Sequence, residues 1–120
     1  MMLLPMMKGM SEAAAWEACR RGVLVPDDGE RRGLFGNGIY LTSSLEYASS
    51  QARKAHPGEK VAVLMCVVVP GCVFPITETP KLPDGRDNPR SFLGKGCQPG
   101  FHSHYALGKL TRFAGQSTAL

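Results

Sequence analysis

Gly36-Asn37-Gly38-Ile39-Tyr40-Leu41-Thr42-Ser43-Ser44 is the stretch on which the reading of this chain turns. Two glycines flank an asparagine, so the backbone there can turn tightly and be approached closely. The next four residues, Ile39 to Thr42, are strand formers. Ser43, with Glu46 three residues on, has the pattern of a capping box and predicts a helix from about Ser44 to Ala55, closed by His56-Pro57-Gly58. A phosphate cradle is the first idea such a loop suggests, but its context excludes one. The glycines of Gly33-Leu34-Phe35-Gly36-Asn37-Gly38 run G-x-x-G-x-G, a strand rather than a helix follows, and there is no P-loop lysine. What remains is bare backbone at Gly36 and Gly38, which the amide of a flat ligand can meet, and then Tyr40, whose ring can stack on it. A β-turn followed by a core tyrosine fits the same residues equally well.

Upstream, Leu3 to Met7 reads as a degenerate first strand. Ser11 caps a helix from Glu12 to about Arg21, favoured by Ala13, Ala14, Ala15 and Ala18 and ended by Gly22. Trp16 on that helix is expected in the core or half-buried. Val23-Leu24-Val25 predicts a short strand, and Arg31 and Arg32 stand in the basic loop that leads to Gly36. Downstream, residues 61–69 are a continuous valine-rich apolar run. That predicts a central strand buried on both faces, with Val63, Leu64, Val67 and Val69 almost fully buried and Val67→Asp unfolding the domain. Cys72 to Thr77 reads as a strand whose Pro75 puts it at an edge or a bulge. Residues 78–100 form a long proline-rich loop, Phe101 to Leu107 a last strand, and 108–120 a frayed tail. The order is that of one mixed α+β domain spanning residues 1–120.

Composition narrows the function classes. The chain has 120 residues, 43% of them hydrophobic and 20% charged, which excludes wholesale disorder, collagen and coiled coil. The formal net charge is +4, and the excess lies in residues 61–120, which hold six basic and three acidic groups. Such a balance suits an anionic ligand or an ordinary surface; without a run of Lys/Arg interleaved with aromatics, a dedicated nucleic-acid module ranks low. None of the four cysteines forms a C-x-x-C pair, so free thiols in a reducing, intracellular compartment (cytoplasmic or nuclear) are expected. The apolar start is broken by Pro5 and makes a poor signal peptide, and no apolar run approaches a membrane span. His102 and His104 form H-x-H on the last strand. A zinc site there needs Cys97 and a further ligand such as Cys72 or His56; otherwise the histidines are polar lining of a pocket rim.

Gly36 to Ser44, followed by Tyr47-Ala48, resembles the central signature of ADP-ribosyltransferases of the poly(ADP-ribose) polymerase type. The helix 12–21 resembles the first helix of that family, residues 61–77 its next two strands, and Gly100-Phe101-His102-Ser103-His104-Tyr105 its P-G-x-x-S segment near the substrate face. The likeness spans about residues 8–107. It implies a fold of mixed and antiparallel sheets with two helices, here lacking the final strands, and a buried 61–69; an exposed edge there makes the expected family fold wrong. It implies NAD as substrate, cleavage of the nicotinamide–ribose bond and transfer of ADP-ribose to an acceptor.

By the same resemblance Tyr40 is catalytic, Lys8 stands where the ribose-binding His is expected, and Gly9 holds the nicotinamide amide. Gly36, Gly38, Tyr40, Ser44, Tyr47 and Ser49 are the remaining cofactor-binding candidates, with Ser44 or Ser49 standing in for a serine whose place Ala48 takes. Tyr47 is core or pocket wall. Arg31 and Arg32 can meet the diphosphate. The late catalytic Glu has no counterpart: Glu78 is the last glutamate, Asp84 and Asp87 lie in the long loop, and the stretch after 107 offers Lys109, Thr111, Arg112 and Gln116. The chain therefore reads as a weak or inactive transferase, a truncated enzyme or a piece of a larger one, or as a non-catalytic module that grips NAD, ADP-ribose or a protein.

Overall fold

The computed structural model describes residues 2–22, 24 and 34–106. It is a small α+β structure with two helices and two small sheets: β1 (Leu4–Ser11), α1 (Glu12–Arg21), α2 (Leu45–Ala55), β2 (Val61–Val68), β3 (Val73–Ile76) and β4 (Ser103–Ala106). Val23 and Val25, the arginines Arg31 and Arg32, and the tail from Leu107 onward lie outside the described residues.

Local signals set α1. The Ser11 hydroxyl accepts the Ala14 N–H at 3.2 Å, and Gly22 closes the helix in the left-handed region at φ 71°, where a side chain is disfavoured. Glu17 pairs with both Arg20 and Arg21 on the solvent side. Trp16 is 65% exposed there, so the expectation that it packs into the core fails: Ala15 faces inward and Trp16 follows it round the helix. The second helix starts one residue later than its capping box suggests. Ser44, not Ser43, is the N-cap, accepting the Tyr47 N–H at 3.1 Å.

β1 and β2 pair antiparallel over eight residues, with Met7 opposite Met65 and Gly9 opposite Val63. Met7 also exchanges backbone hydrogen bonds with Thr42, at 2.7 and 2.9 Å, on the other side of β1. The strand with partners on both sides is therefore β1, and β2 lies at the edge among the described residues. Met65 is 66% exposed, Val67 73% and Val69 53%. This overturns the expected central strand at 61–69. A valine-rich run records strand propensity, while the number of neighbours is set by tertiary pairing. It also removes one support for the family fold. Val67→Asp, which a central strand would not survive, is expected to change stability by less than about 0.5 kcal/mol and to lower edge-to-edge association. Thermal unfolding and light scattering of the variant check this.

The stretch Ile39–Thr42 is another correction. It runs extended, but its only ladder contact among the described residues is the single bridge at Thr42. The strands β3 and β4 pair in parallel, Val73 opposite Ser103 through Ile76 opposite Ala106. A parallel pair needs a long crossover, and the proline-rich loop provides it. That loop is internally bonded: the buried Asn88 side chain donates to the Thr79 carbonyl at 3.0 Å and accepts from the Arg90 N–H, and Ser91 Oγ donates to the Asn88 carbonyl at 2.7 Å. Below it Phe35, Ile76 and Ala106 form a buried cluster, with Leu34, Tyr40, Phe74 and Phe92 packed against it. No helix of the described residues is long and apolar enough to cross a membrane.

Candidate functional site

The Gly36–Tyr40 stretch forms one wall of an open cavity of about 160 Å³; residues 35–40 face Cys97 and residues 102–104 across it. This volume is close to the roughly 150 Å³ that accommodates a benzene-sized ring.

Tyr40 shapes the wall. Its hydroxyl accepts the Phe35 N–H at 2.7 Å and donates to the Gly36 carbonyl at 2.7 Å, closing the turn, while its ring packs on the buried cluster. Burial pushes its phenol from 10.0 up to about 12, with the Phe35 N–H pulling the other way. Gly36 sits at φ 112°, and a Cβ there would come within 3.0 Å of His104 Nδ1. Gly38 also lines the cavity, and no described atom lies within 4 Å of the place its Cβ would occupy. The Asn37 N–H donates to the Lys95 carbonyl at 2.7 Å and its side chain to the Gly94 carbonyl at 3.1 Å, tying the turn to the crossover loop.

The opposite wall carries the two histidines, and their partners fix their tautomers. His104 Nδ1 faces the Phe35 carbonyl at 2.7 Å and must donate; its Nε2 accepts the Gln98 N–H at 2.9 Å. His102 Nδ1 accepts the Cys72 N–H at 2.9 Å, so in the neutral ring Nε2 carries the proton. Neither ring offers a metal the lone pair it needs without giving up a backbone bond. Among the described residues no group of three or more His, Cys, Asp or Glu is placed to hold an ion. Cys97 donates to the Phe101 carbonyl at 3.4 Å.

The other sequence candidates stand elsewhere. Lys8 is buried on β1 opposite Leu64, on the face it shares with Cys66. There burial, then the Cys19 thiol, push the Cys66 thiol up while the Lys8 charge pulls it down. Gly9 lies on the other face, beneath α2 at Ala48 and Ala52. Ser44 is engaged in capping, and Tyr47 and Ser49 are half-buried on α2 without lining the cavity. Of the expected site residues, Tyr40, Gly36 and Gly38 come together, and His102 and His104 join them at the rim. Glu78 lies beside Asn88, and Asp84, held below the usual carboxylate range by the Arg86 side chain, sits in a turn of the crossover loop; neither lines the cavity. Comparison with protein-family models, curated proteins and solved structures finds no match.

Proposed function

We propose that this chain is an ADP-ribosyltransferase-like domain that seats the nicotinamide end of NAD in the Gly36–Tyr40 cavity, with transfer weak or absent. One observation carries the reading. The two stretches whose sequence resembles that family, Gly36–Tyr40 and His102–His104, meet across a single ring-sized cavity although more than sixty residues separate them. Bare backbone at Gly38 suits a carboxamide, and Tyr40 provides an aromatic wall.

The same geometry argues against efficient transfer. Cleaving the nicotinamide–ribose bond develops oxocarbenium-like charge that a carboxylate stabilises. Among the described residues no Asp or Glu lines the cavity, and Lys8 lies on β1 outside it. These placements favour the second reading, a module that holds NAD or ADP-ribose without turning it over. The exposed β2 edge counts against the full family fold, so the proposal rests on the cavity and not on the sheet.

Titration with benzamide and with NAD, followed by incubation with labelled NAD, tests it. Saturable benzamide binding, with no labelled polymer and at most slow release of nicotinamide, is the expected outcome. No binding of either ligand by the folded protein sinks the proposal. Efficient polymer formation would mean that the carboxylate has been misplaced, and Glu78 and Asp84 would be the first to replace.

A further inference from the structure

Three segments meet at the cavity: the turn at Phe35–Gly36, the crossover loop at Cys97–Gln98, and β4. His104 touches all three. From β4 it donates to the Phe35 carbonyl, 69 residues away in sequence, and accepts the Gln98 N–H. Its ring is gripped edge-on by Phe92 at 4.6 Å between centroids and lies 5.7 Å from Phe74. The absence of a side chain at Gly36 gives the ring its room. A lysine could not do the same work, because it only donates, whereas the two bonds need a donor and an acceptor on one flat group.

From this geometry we infer that His104 is a positioning residue: held as its Nδ1–H tautomer, it locks the turn, the crossover loop and β4 together and so sets the width of the cavity. The inference has two parts. The lock itself stands on the hydrogen bonds. Its effect on a bound ring rests on the reading of the cavity given above.

The tautomer provides a signature that a merely space-filling ring lacks. His102, just before β4, and His104, on β4, are two residues apart yet are held in opposite tautomers, Nε2–H and Nδ1–H. Imidazole ¹⁵N shifts of the full chain at neutral pH distinguish the two. The Nδ1–H form at His104 is expected; the Nε2–H form overturns the inference.

Three variants separate the two bonds. His104→Phe keeps the ring between Phe74 and Phe92 and loses both bonds. His104→Asn keeps a donor near the Nδ1 position, and His104→Gln places an acceptor near the Nε2 position. The Gln98 amide is expected to exchange with solvent about tenfold faster or more in the Phe and Asn variants and to regain protection in the Gln variant, since one lost hydrogen bond corresponds to about a factor of ten. Benzamide affinity is expected to fall about tenfold in His104→Phe. Unchanged Gln98 exchange in a folded Phe variant overturns the lock. A lock that behaves as described in a protein that binds no benzamide would refute the ring-binding reading and leave the positioning role standing on its exchange and tautomer results.

Discussion

Gly9→Ala is expected to destabilise strongly the half of the protein built on β1 and α2. The glycine lies on the face of β1 where α2 crosses. A Cβ added there runs into the carbonyl oxygen of Ala48, comes within 2.8 Å of the carbonyl carbon, and lies 3.0 Å from the Ala48 helix neighbour Ala52 at its Cβ. The first two of these atoms belong to helix backbone, which cannot rotate away as a side chain can. The whole of α2 must lift, and with it the packing of Ala48 and Ala52, which are 3% and 1% exposed. Overpacking of an ordinary core costs about 1–3 kcal/mol; a rigid backbone wall puts this case at the upper end or above, against a total stability of about 5–15 kcal/mol. A fall in Tm of roughly 10 °C or more is expected. Gly38→Ala is the control: its Cβ meets nothing within 4 Å, and stability is expected to stay within about 0.5 kcal/mol. If Gly9→Ala melts like the parent chain, α2 is not seated on β1 as described. If it also loses benzamide binding while melting normally, the backbone of Gly9 belongs to the ligand after all.

The contrast between Gly9 and Tyr40 shows what the sequence does and does not disclose. Helix α1 was legible because everything that makes it is local: a serine cap, an alanine-rich turn, and a glycine four residues past its last alanine. Helix α2 was legible in extent but not in its first residue, since Ser43 and Ser44 are both competent caps and only the backbone path past Thr42 chooses between them. The run 61–69 announced a strand but not its position. Valines fill an edge strand as readily as a central one, and whether Met65 and Val67 are covered depends on segments distant in sequence. Trp16 failed for the same reason: a helix of ten residues shows that it has an inner face, and Ala15 took it. In the candidate site, Gly36, Gly38, Tyr40 and the two histidines could be picked out from their residue types and spacing. The bond from His104 to Phe35 could not, because no local pattern encodes a contact across 69 residues. Lys8 and Gly9 were grouped with the site by position along the chain, yet adjacent strand residues point to opposite faces. One therefore faces Cys66 and the other α2, and neither faces the cavity.

Tyr40→Phe is expected to destabilise the protein by about 1–3 kcal/mol at neutral pH, because it leaves the Phe35 N–H and the Gly36 carbonyl without the hydroxyl that joins them. Tyr40→Ala is expected to cost more, about 3–5 kcal/mol, since the ring that packs on Phe35, Ile76 and Ala106 goes too. The Ala variant therefore tests folding and ligand stacking at once, and the Phe variant is the informative one: it keeps an aromatic face for the ligand while releasing the turn. The pH dependence has a definite sign. The phenol is raised from 10.0 to about 12 in the fold, so the folded state favours the neutral form. Its contribution to stability is fully present below pH 10, where folded and unfolded chains are both protonated. It falls as the unfolded phenol ionises and is lost as pH rises through about 12. Denaturant unfolding of the parent chain and of Tyr40→Phe, measured from pH 8 upward, should show a gap between the two that narrows above pH 10. A spectroscopic titration should show a late phenol step, near 12, that vanishes in Tyr40→Phe. Equal stability of the two proteins at neutral pH, or the absence of a late phenol step in the parent chain, would mean that Tyr40 does not hold the turn. The wall of the cavity would then have to be built some other way.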